Sequence, residues 1–504
     1  MTGSEEDNNA ELTASPLSEK KCRGEKHVSF PPDEEIVSGF AERKDLLRDV
    51  DSITLKEIIA SYKQSCEKHQ VEPKPKLLEQ LQTITDLHSR VRCLDLKGER
   101  LDYQACESLE ELLKLLQYEF INLQEAELDE NGASALFDMI SYYESATHLN
   151  ISCNKRIGAL GWRSLSHLIQ QSSCLWRLDA CNIPVLEYPA QAMSRALKSS
   201  RLAVLHFEKT CLSGRPLFTL VSALKLNTAL QELYLADNDL NSFQDSMQLG
   251  DLLKYNHSLR VLDLSNNLIS DAGLEDICEG LKVQKTGLRR LVLWNNLLTF
   301  KGMTHLARVL PSVASLETLN LGQNILQNKG IQRLKDALIA NRSLLQLGLA
   351  STKITCEGAV ALAEFIAESP RIQRLDVRKN LIRAGGLMAL SLALQINHSL
   401  IRVDLDKNVK KEKVSASHVA LLSSSKAAVL EEGTTLDKRI QTGTGALCYQ
   451  KSMCHFLQRH HGEELIGFVV TSSSCQELAS ASVRDEDITT TGPQERISWY
   501  PGYG

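Results

Sequence analysis

The sequence has neither a long apolar run nor a strong excess of one charge. No stretch approaches the roughly 18 apolar residues of a membrane-spanning helix, and the polar N-terminus lacks the apolar core of a secretory signal. The 57 basic and 63 acidic residues are interspersed. Because a phosphate backbone or an anionic bilayer needs a broad positive field, neither nucleic acid nor a membrane is an expected partner. We expect a cytoplasmic or nuclear protein.

Motifs that carry catalysis or bind cofactors are also lacking. There is no nucleophile elbow, no HExxH and no Walker lysine, and the Thr-Gly-Thr-Gly run at 442–445 does not complete a phosphate-binding loop. The 13 cysteines are scattered singly, unlike a disulfide framework. The one Cys/His tract has the spacing of neither a zinc finger nor a zinc ribbon. Its members are Cys448, Cys454, His460 and His461. We therefore expect no enzyme, no cofactor and no metal.

The sequence does contain an internal repeat of about 28 residues, with the form LxxLxLxxNxI. Successive predicted strand centres are separated by 27 to 29 residues. These centres are Leu94, Ile121, Leu149, Leu178, Leu205, Leu233, Leu262, Leu291, Leu319, Leu347, Leu375 and Val403. Apolar residues two apart in each unit predict a short strand whose alternate side chains enter the core.

A polar residue follows each strand at a fixed distance in most units. Five residues after the strand centre the chain has Asn154, Asn238, Asn267, Asn296, Asn324, Asn380 and Asn408, with Thr210 and Thr352 in two further units. Stacked amides can bond the backbone of neighbouring turns, so we expect a ladder there. A glycine six residues later, followed by helical apolar spacing, predicts a turn into a helix. Ala126 and Ile183 depart from this pattern.

These units resemble the ribonuclease-inhibitor class of leucine-rich repeats, in which each strand is joined to a full helix. The resemblance covers residues 91–408. It implies an α/β solenoid, a horseshoe of twelve repeats with parallel strands inside and helices outside.

The flanking segments differ from the repeats. Residues 51–90 predict two helices that cap the array, with Thr54 and Glu57 spaced as a capping box. Residues 1–50 and 440–504 predict disordered or irregular tails, and 409–439 a C-terminal capping helix.

The residues between the strand leucines should face away from the core, on the concave surface of the array. Tyr234, Val292 and Trp294 predict an aromatic and apolar anchor of the kind that dominates protein interfaces, with Asp263 beside them. The alternative is that these side chains are only half-buried between strands. This face offers a surface for a second protein partner.

The N-terminal segment contains a short apolar motif after basic residues. Val28 and Phe30 are two residues apart and would face the same side of a strand. Lys26 and His27 directly precede Val28. Strand addition to a groove with two apolar pockets beside an acidic patch requires this arrangement. The alternative is a disordered lead-in that contacts nothing.

The motif resembles the docking segment of protein phosphatase 1 regulatory subunits, in which a basic residue precedes a Val-x-Phe core. The resemblance implies a second apolar pair at Ile36 and Val37 and an arginine contact at Arg43. Together with the repeats, it resembles a leucine-rich-repeat family of phosphatase 1 inhibitors. It implies that the catalytic subunit is the partner, which the chain inhibits or redirects.

Ser29 lies between the two predicted anchors, with Lys26 three residues before it. A phosphate there would place about −1.5 to −2 charges beside an apolar groove and disrupt docking. We therefore predict phosphorylation of Ser29 by a basic-directed kinase as a release mechanism. The alternative is an unmodified spacer serine.

Two other functions stay open. The array alone could act as an adapter or scaffold, although no F-box-like module or nucleotide-binding domain precedes residue 90. A GTPase-activating protein of the same repeat class would usually carry a catalytic Arg or Asn on a repeat loop and a strongly acidic tail, whereas the tail here is mixed in charge. We rank this third.

Overall fold

In the computed structural model of the chain, residues 53–284 and 286–406 are described. Within them, twelve parallel strands form one sheet whose strand order is the chain order. The strands are β1 (Val91–Asp95), β2 (Tyr118–Asn122), β3 (Ala146–Asn150), β4 (Arg177–Asp179), β5 (Val204–His206), β6 (Glu232–Tyr234), β7 (Val261–Asp263), β8 (Arg290–Val292), β9 (Thr318–Asn320), β10 (Gln346–Gly348), β11 (Arg374–Asp376) and β12 (Arg402–Asp404).

Helices precede the sheet and connect its strands. They are α1 (Leu55–Lys68), α2 (Pro75–Gln82), α3 (Tyr103–Ser108), α4 (Glu110–Leu115), α5 (Glu130–Tyr143), α6 (Gly158–Gln171), α7 (Glu187–Leu197), α8 (Arg215–Leu224), α9 (Phe243–Tyr255), α10 (Asp271–Leu281), α11 (Gly302–Val309), α12 (Gln327–Ala340), α13 (Cys356–Glu368) and α14 (Ala384–Ile396). Because each crossover joins neighbouring parallel strands with the same hand, the connecting helices lie on one face and leave the other face open. The predicted leucine-rich-repeat solenoid is confirmed.

The strand register confirms the predicted repeat alignment. Each predicted centre lies opposite the next, from Leu94 opposite Ile121 to Leu375 opposite Val403. All the centres are at most 2% exposed. The alignment also holds at Ile121 and Leu178, where the asparagine is replaced. Burial of the central strand residue between sheet and helices is therefore the constant feature of the unit.

The predicted asparagine ladder is present in the described repeats that carry asparagine or threonine at this position. Asn238 is typical: its Oδ1 accepts from the backbone N–H groups of Thr210 and Leu212 at 2.9 and 3.1 Å. Its Nδ2 donates to the carbonyls of Phe207 and Ala236 at 2.7 and 3.2 Å. One side chain thus satisfies backbone groups of two successive turns. Asn408 lies outside the described residues.

A second ladder, which the sequence analysis did not identify, runs along the ends of the helices. Asn256 Nδ2 donates to the carbonyls of Leu224 and Asn227, and its Oδ1 accepts from the N–H groups of Ser258 and Leu259. Asn341 and Asn397 repeat the pattern. The recurring Asn-x-Ser-Leu at 256–259, 341–344 and 397–400 is the signal that would have predicted it.

The two helices predicted before the repeats are both present. Thr54 and Glu57 make the predicted capping box of α1. Helix α1 contacts α3 and α4, and α2 contacts β1, so both helices cover the first repeat. Helix α2 ends at Gln82, and in the segment that leads to β1 the Asp86 carboxylate accepts from the His88 N–H at 2.9 Å. None of the described helices combines the length and apolarity of a membrane span.

Candidate protein-binding face

The open face of the sheet presents the side chains that flank the buried strand centres. The register aligns one residue from each of six strands into a row, which we call the outer row. Its members are Asp179, His206, Tyr234, Asp263, Val292 and Asn320. The structure thus brings three of the predicted candidates, Tyr234, Asp263 and Val292, onto adjacent strands. Trp294 follows Val292 by two residues.

Tyr234 lies half-buried in the outer row and packs flat on His206. The two ring centroids are 4.0 Å apart with an interplanar angle of 7°. The Tyr234 hydroxyl donates to Glu232 Oε2 at 2.8 Å. Burial, reinforced by the Glu232 carboxylate, raises the pKa of the Tyr234 phenol. The phenol is therefore protonated at neutral pH and held in a fixed orientation.

Asp263 is buried, and its carboxylate forms hydrogen bonds within its own turn. Its Oδ1 accepts from the backbone N–H of Ser265 at 2.9 Å and from the Ser265 hydroxyl at 2.5 Å. Burial raises the pKa of the Asp263 carboxyl despite these hydrogen bonds. These contacts shape the turn after β7.

Trp294 forms part of the floor of the open face. Only 7% of the residue is exposed, and a Cβ added at Gly322 would overlap its ring. The glycine in the next repeat therefore leaves the space that the indole fills. Val292 is half-buried beside it. Of the predicted anchor residues, Tyr234 and Val292 offer the side-chain area that a partner can contact, and their role as anchors stays a prediction.

A network of charged and polar side chains covers the open face over β3 to β5. Asp179 Oδ2 lies 2.7 Å from His148 Nε2, and the Arg177 guanidinium donates to both carboxylate oxygens at 2.9 and 3.2 Å. Burial opposes ionisation of Asp179, but His148 and Arg177 hold the pKa of its carboxyl below the usual range. The carboxylate is thus a fixed negative charge shared by two strands.

The network continues onto β5 and the turns that follow β4 and β5. His206 Nδ1 lies 2.8 Å from Glu208 Oε1, and the Cys181 thiol donates to Glu208 Oε2 at 3.0 Å. Burial and the Glu208 carboxylate raise the pKa of the Cys181 thiol. The sequence places Asp179, His206 and Glu208 on this face, but nothing in the repeat pattern distinguishes them from polar residues that face solvent. Their association depends on side chains from separate repeats.

Aromatic side chains border the network. Phe120 stacks on His148 with ring centroids 4.2 Å apart, and Trp176, 46% exposed, lies 6.2 Å from the same imidazole. Exposed tryptophan beside preorganised polar groups is typical of protein-binding surfaces. This part of the face was not predicted as a site, because Trp176 precedes β4 and lies outside the alternation of the strand.

The predicted docking segment lies outside the described residues. This applies to Lys26, His27, Val28, Ser29, Phe30, Ile36, Val37 and Arg43, and also to the tract Cys448, Cys454, His460 and His461 and the segments 409–439 and 440–504.

Fold and sequence comparison together define a leucine-rich-repeat protein. Residues 255–278, which run from the end of α9 into α10, match the family model "Leucine Rich repeat". The chain is 58% identical over 293 residues to protein phosphatase 1 regulatory subunit 37 of Bos taurus, covering 58% of this chain and 42% of that protein. The human protein of the same name is 57% identical over 293 residues, with the same shares covered.

A further relative is less similar in sequence. The homolog of protein phosphatase 1 regulatory subunit 37 in Caenorhabditis elegans is 38% identical over 307 residues, covering 58% of this chain and 32% of that protein. The chain therefore spans less than half the length of the curated relatives that it matches. The resemblance of the sequence to leucine-rich-repeat regulatory subunits of phosphatase 1 is confirmed.

Proposed function

We propose that the chain is a non-catalytic regulatory subunit of protein phosphatase 1, which it binds in the cytoplasm or nucleus and inhibits or redirects. The observation that carries this proposal is the 58% identity over 293 residues to a protein named as such a subunit. At this identity the two chains share the fold of the aligned region. The Val-x-Phe segment supplies the physical means of binding, because two alternate apolar side chains suit addition of a strand to a groove.

Val28 and Phe30 are the proposed anchors, and their joint replacement tests the proposal. In Val28→Ala/Phe30→Ala, we expect the affinity for purified phosphatase 1 catalytic subunit to fall at least about a hundredfold. Each anchor contributes on the order of 1.5 to 3 kcal/mol when buried, and 2.7 kcal/mol corresponds to about a hundredfold. Biolayer interferometry with the full chain measures the affinity.

The matched control is Leu12→Ala/Leu17→Ala, which removes two apolar side chains from the same N-terminal segment outside the motif. We expect this variant to bind like the wild type. If the Val28→Ala/Phe30→Ala chain binds the catalytic subunit as tightly as the wild type, the proposed docking mode is wrong. Ile36, Val37 and Arg43 are the proposed secondary contacts, whose replacement should have smaller effects.

Phosphorylation of Ser29 is the proposed means of release. Ser29→Asp places a charge between two side chains that enter an apolar groove, so we expect binding to weaken about tenfold or more, equivalent to ~1.4 kcal/mol. Ser18→Asp adds the same charge upstream and should leave the affinity unchanged. The same interferometry measures both variants. Equal affinities of the two variants would exclude this mode of regulation.

The alternative function is an adapter that acts through the array alone. The half-exposed Tyr234 and the exposed Trp176 beside the Asp179 network favour a second protein partner on this face. This reading predicts that Val28→Ala/Phe30→Ala leaves every interaction of the protein intact. The interferometry experiment therefore separates the two functions.

A further inference from the structure

Three side chains of different chemistry meet where the turns after β4 and β5 adjoin. The Sγ atom of Cys181, a ring nitrogen of His206 and a carboxylate oxygen of Glu208 all lie within 4.8 Å of one another. Among the described residues, no other three His, Cys or acidic side chains bring their ligand atoms this close together. We propose that Cys181, His206 and Glu208 bind one Zn²⁺ ion on the open face.

The donor set suits zinc. Thiolate and imidazole ligands favour Zn²⁺ over Ca²⁺ and Mg²⁺, which prefer oxygen. Zinc binds sulfur at about 2.3 Å and nitrogen or oxygen at about 2.0 to 2.2 Å, so ligand atoms in a tetrahedral site are roughly 3.3 to 3.7 Å apart. Glu208 already spans the site, since Oε1 is 2.8 Å from His206 Nδ1 and Oε2 is 3.0 Å from Cys181 Sγ. Small side-chain rotations would separate these atoms enough to admit the ion.

The backbone that carries the ligands is fixed by the strand ladder. Cys181 and Glu208 occupy equivalent places, each two residues after a member of the outer row. The Cys181 N–H donates to Ser152 Oγ at 3.0 Å, and the Asn182 N–H donates to the Glu208 carbonyl at 2.8 Å. Ligands on such supports need little reorganisation when a metal binds.

A second carboxylate lies near the other ring nitrogen of the proposed histidine ligand. Asp179 Oδ1 is 3.9 Å from His206 Nε2, the ring nitrogen that does not face Glu208. A carboxylate that accepts a hydrogen bond from this nitrogen orients the imidazole and increases its basicity as a ligand, and a small side-chain rotation would bring Asp179 within that distance. The side chains of His206 and Glu208 are 17% and 21% exposed, so solvent can supply a fourth ligand. Binding would release the thiol proton of Cys181 to solvent and place a positive charge between two carboxylates.

The proposed ion would join two neighbouring repeats on the face opposite the helices. Because it binds the folded array and not the unfolded chain, it would raise the unfolding temperature as its concentration rises. The site does not depend on the proposed phosphatase binding. No sequence motif predicts it, because 24 residues separate Cys181 from His206 and the ladder alone brings them together.

Titration of the reduced full-length chain with Co²⁺ tests the site, since a cobalt–thiolate bond gives a near-ultraviolet charge-transfer band. We expect one Co²⁺ per chain, displaced by Zn²⁺, and a melting temperature that rises with Zn²⁺. Cys181→Ser should abolish the thiolate band. Glu208→Gln should weaken Co²⁺ binding at least about tenfold, as expected for loss of a ligand.

Cys174→Ser is the matched control. The Cys174 thiol also donates to a carboxylate, at 2.9 Å from Glu144 Oε2, but the metal-ligand group does not include it. We expect this variant to keep the wild-type band and affinity. A band that persists in Cys181→Ser would place the metal on other cysteines, such as Cys448 or Cys454, and overturn the proposal. The absence of a band in the wild type would also overturn the proposal. The same holds if Glu208→Gln and the wild type have equal melting temperatures and bind Co²⁺ equally tightly.

Discussion

Gly280→Ala is expected to lower the free energy of unfolding by about 3 kcal/mol or more, because the added methyl group would overlap backbone atoms. Gly280 lies in α10, and a Cβ there would be 2.8 Å from the carbonyl carbon of Gly250 in α9, with the carbonyl oxygen closer still. A Cβ at Gly250 would in turn overlap the carbonyl of Asp276. The two helices meet at their glycines, and backbone cannot rotate away as a side chain can.

The overlap must therefore be relieved by moving α9 from α10, which would weaken the packing of two adjacent repeats. Urea unfolding of the purified chain, followed by far-ultraviolet circular dichroism, measures the loss as a lower midpoint. Gly385→Ala is the matched control, because Gly385 also lies in a helix, α14, but has no atom within 4 Å of the added Cβ. We expect that variant to be neutral or more stable by up to about 1 kcal/mol. Equal midpoints for Gly280→Ala and the wild type would contradict the helix contact.

The sequence predicted the parts of the fold that each repeat specifies by itself. Leu262 and Leu291 are buried because the strand alternates within its own unit, so periodicity alone locates them. The ladder of Asn238 and Asn267 follows the same logic, since each unit repeats the residue at a fixed offset. Stacking of identical units then gives the strand order without further information.

What the sequence could not predict depends on residues that differ from repeat to repeat. Trp294 is an expected anchor that lies in the floor of the face, because its burial is decided by Gly322 in the next unit. Cys181 and Glu208 form a hydrogen bond only because two repeats align their turns. The contact between Gly250 and Gly280 likewise appears only when two helices are packed together. Single-unit patterns carry no information on such pairs.

Asn238→Ala is the second variant for which we expect a large loss, about 4 kcal/mol of unfolding free energy. Asn238 is 1% exposed, and its amide bonds to four backbone groups, while the Thr210 hydroxyl oxygen lies 3.0 Å from its Oδ1. Alanine would leave the N–H groups of Thr210 and Leu212 buried without that acceptor. Each unsatisfied buried group costs about 1 to 3 kcal/mol, and alanine leaves a small cavity as well.

Two further variants show whether the buried amide causes the loss. Asn241→Ala removes an exposed amide three residues away, and we expect a change within about 0.5 kcal/mol. The unfolding free energy of Asn238→Thr should lie between those of Asn241→Ala and Asn238→Ala. Threonine already occupies the ladder at 210 and 352, where its hydroxyl donates to the carbonyl three residues earlier at 2.9 and 2.7 Å. Threonine restores a donor but no acceptor for the preceding turn. From highest to lowest, the urea midpoints should therefore follow the order Asn241→Ala, Asn238→Thr and Asn238→Ala. Equal midpoints for Asn238→Ala and Asn241→Ala would show that the ladder does not stabilise the array.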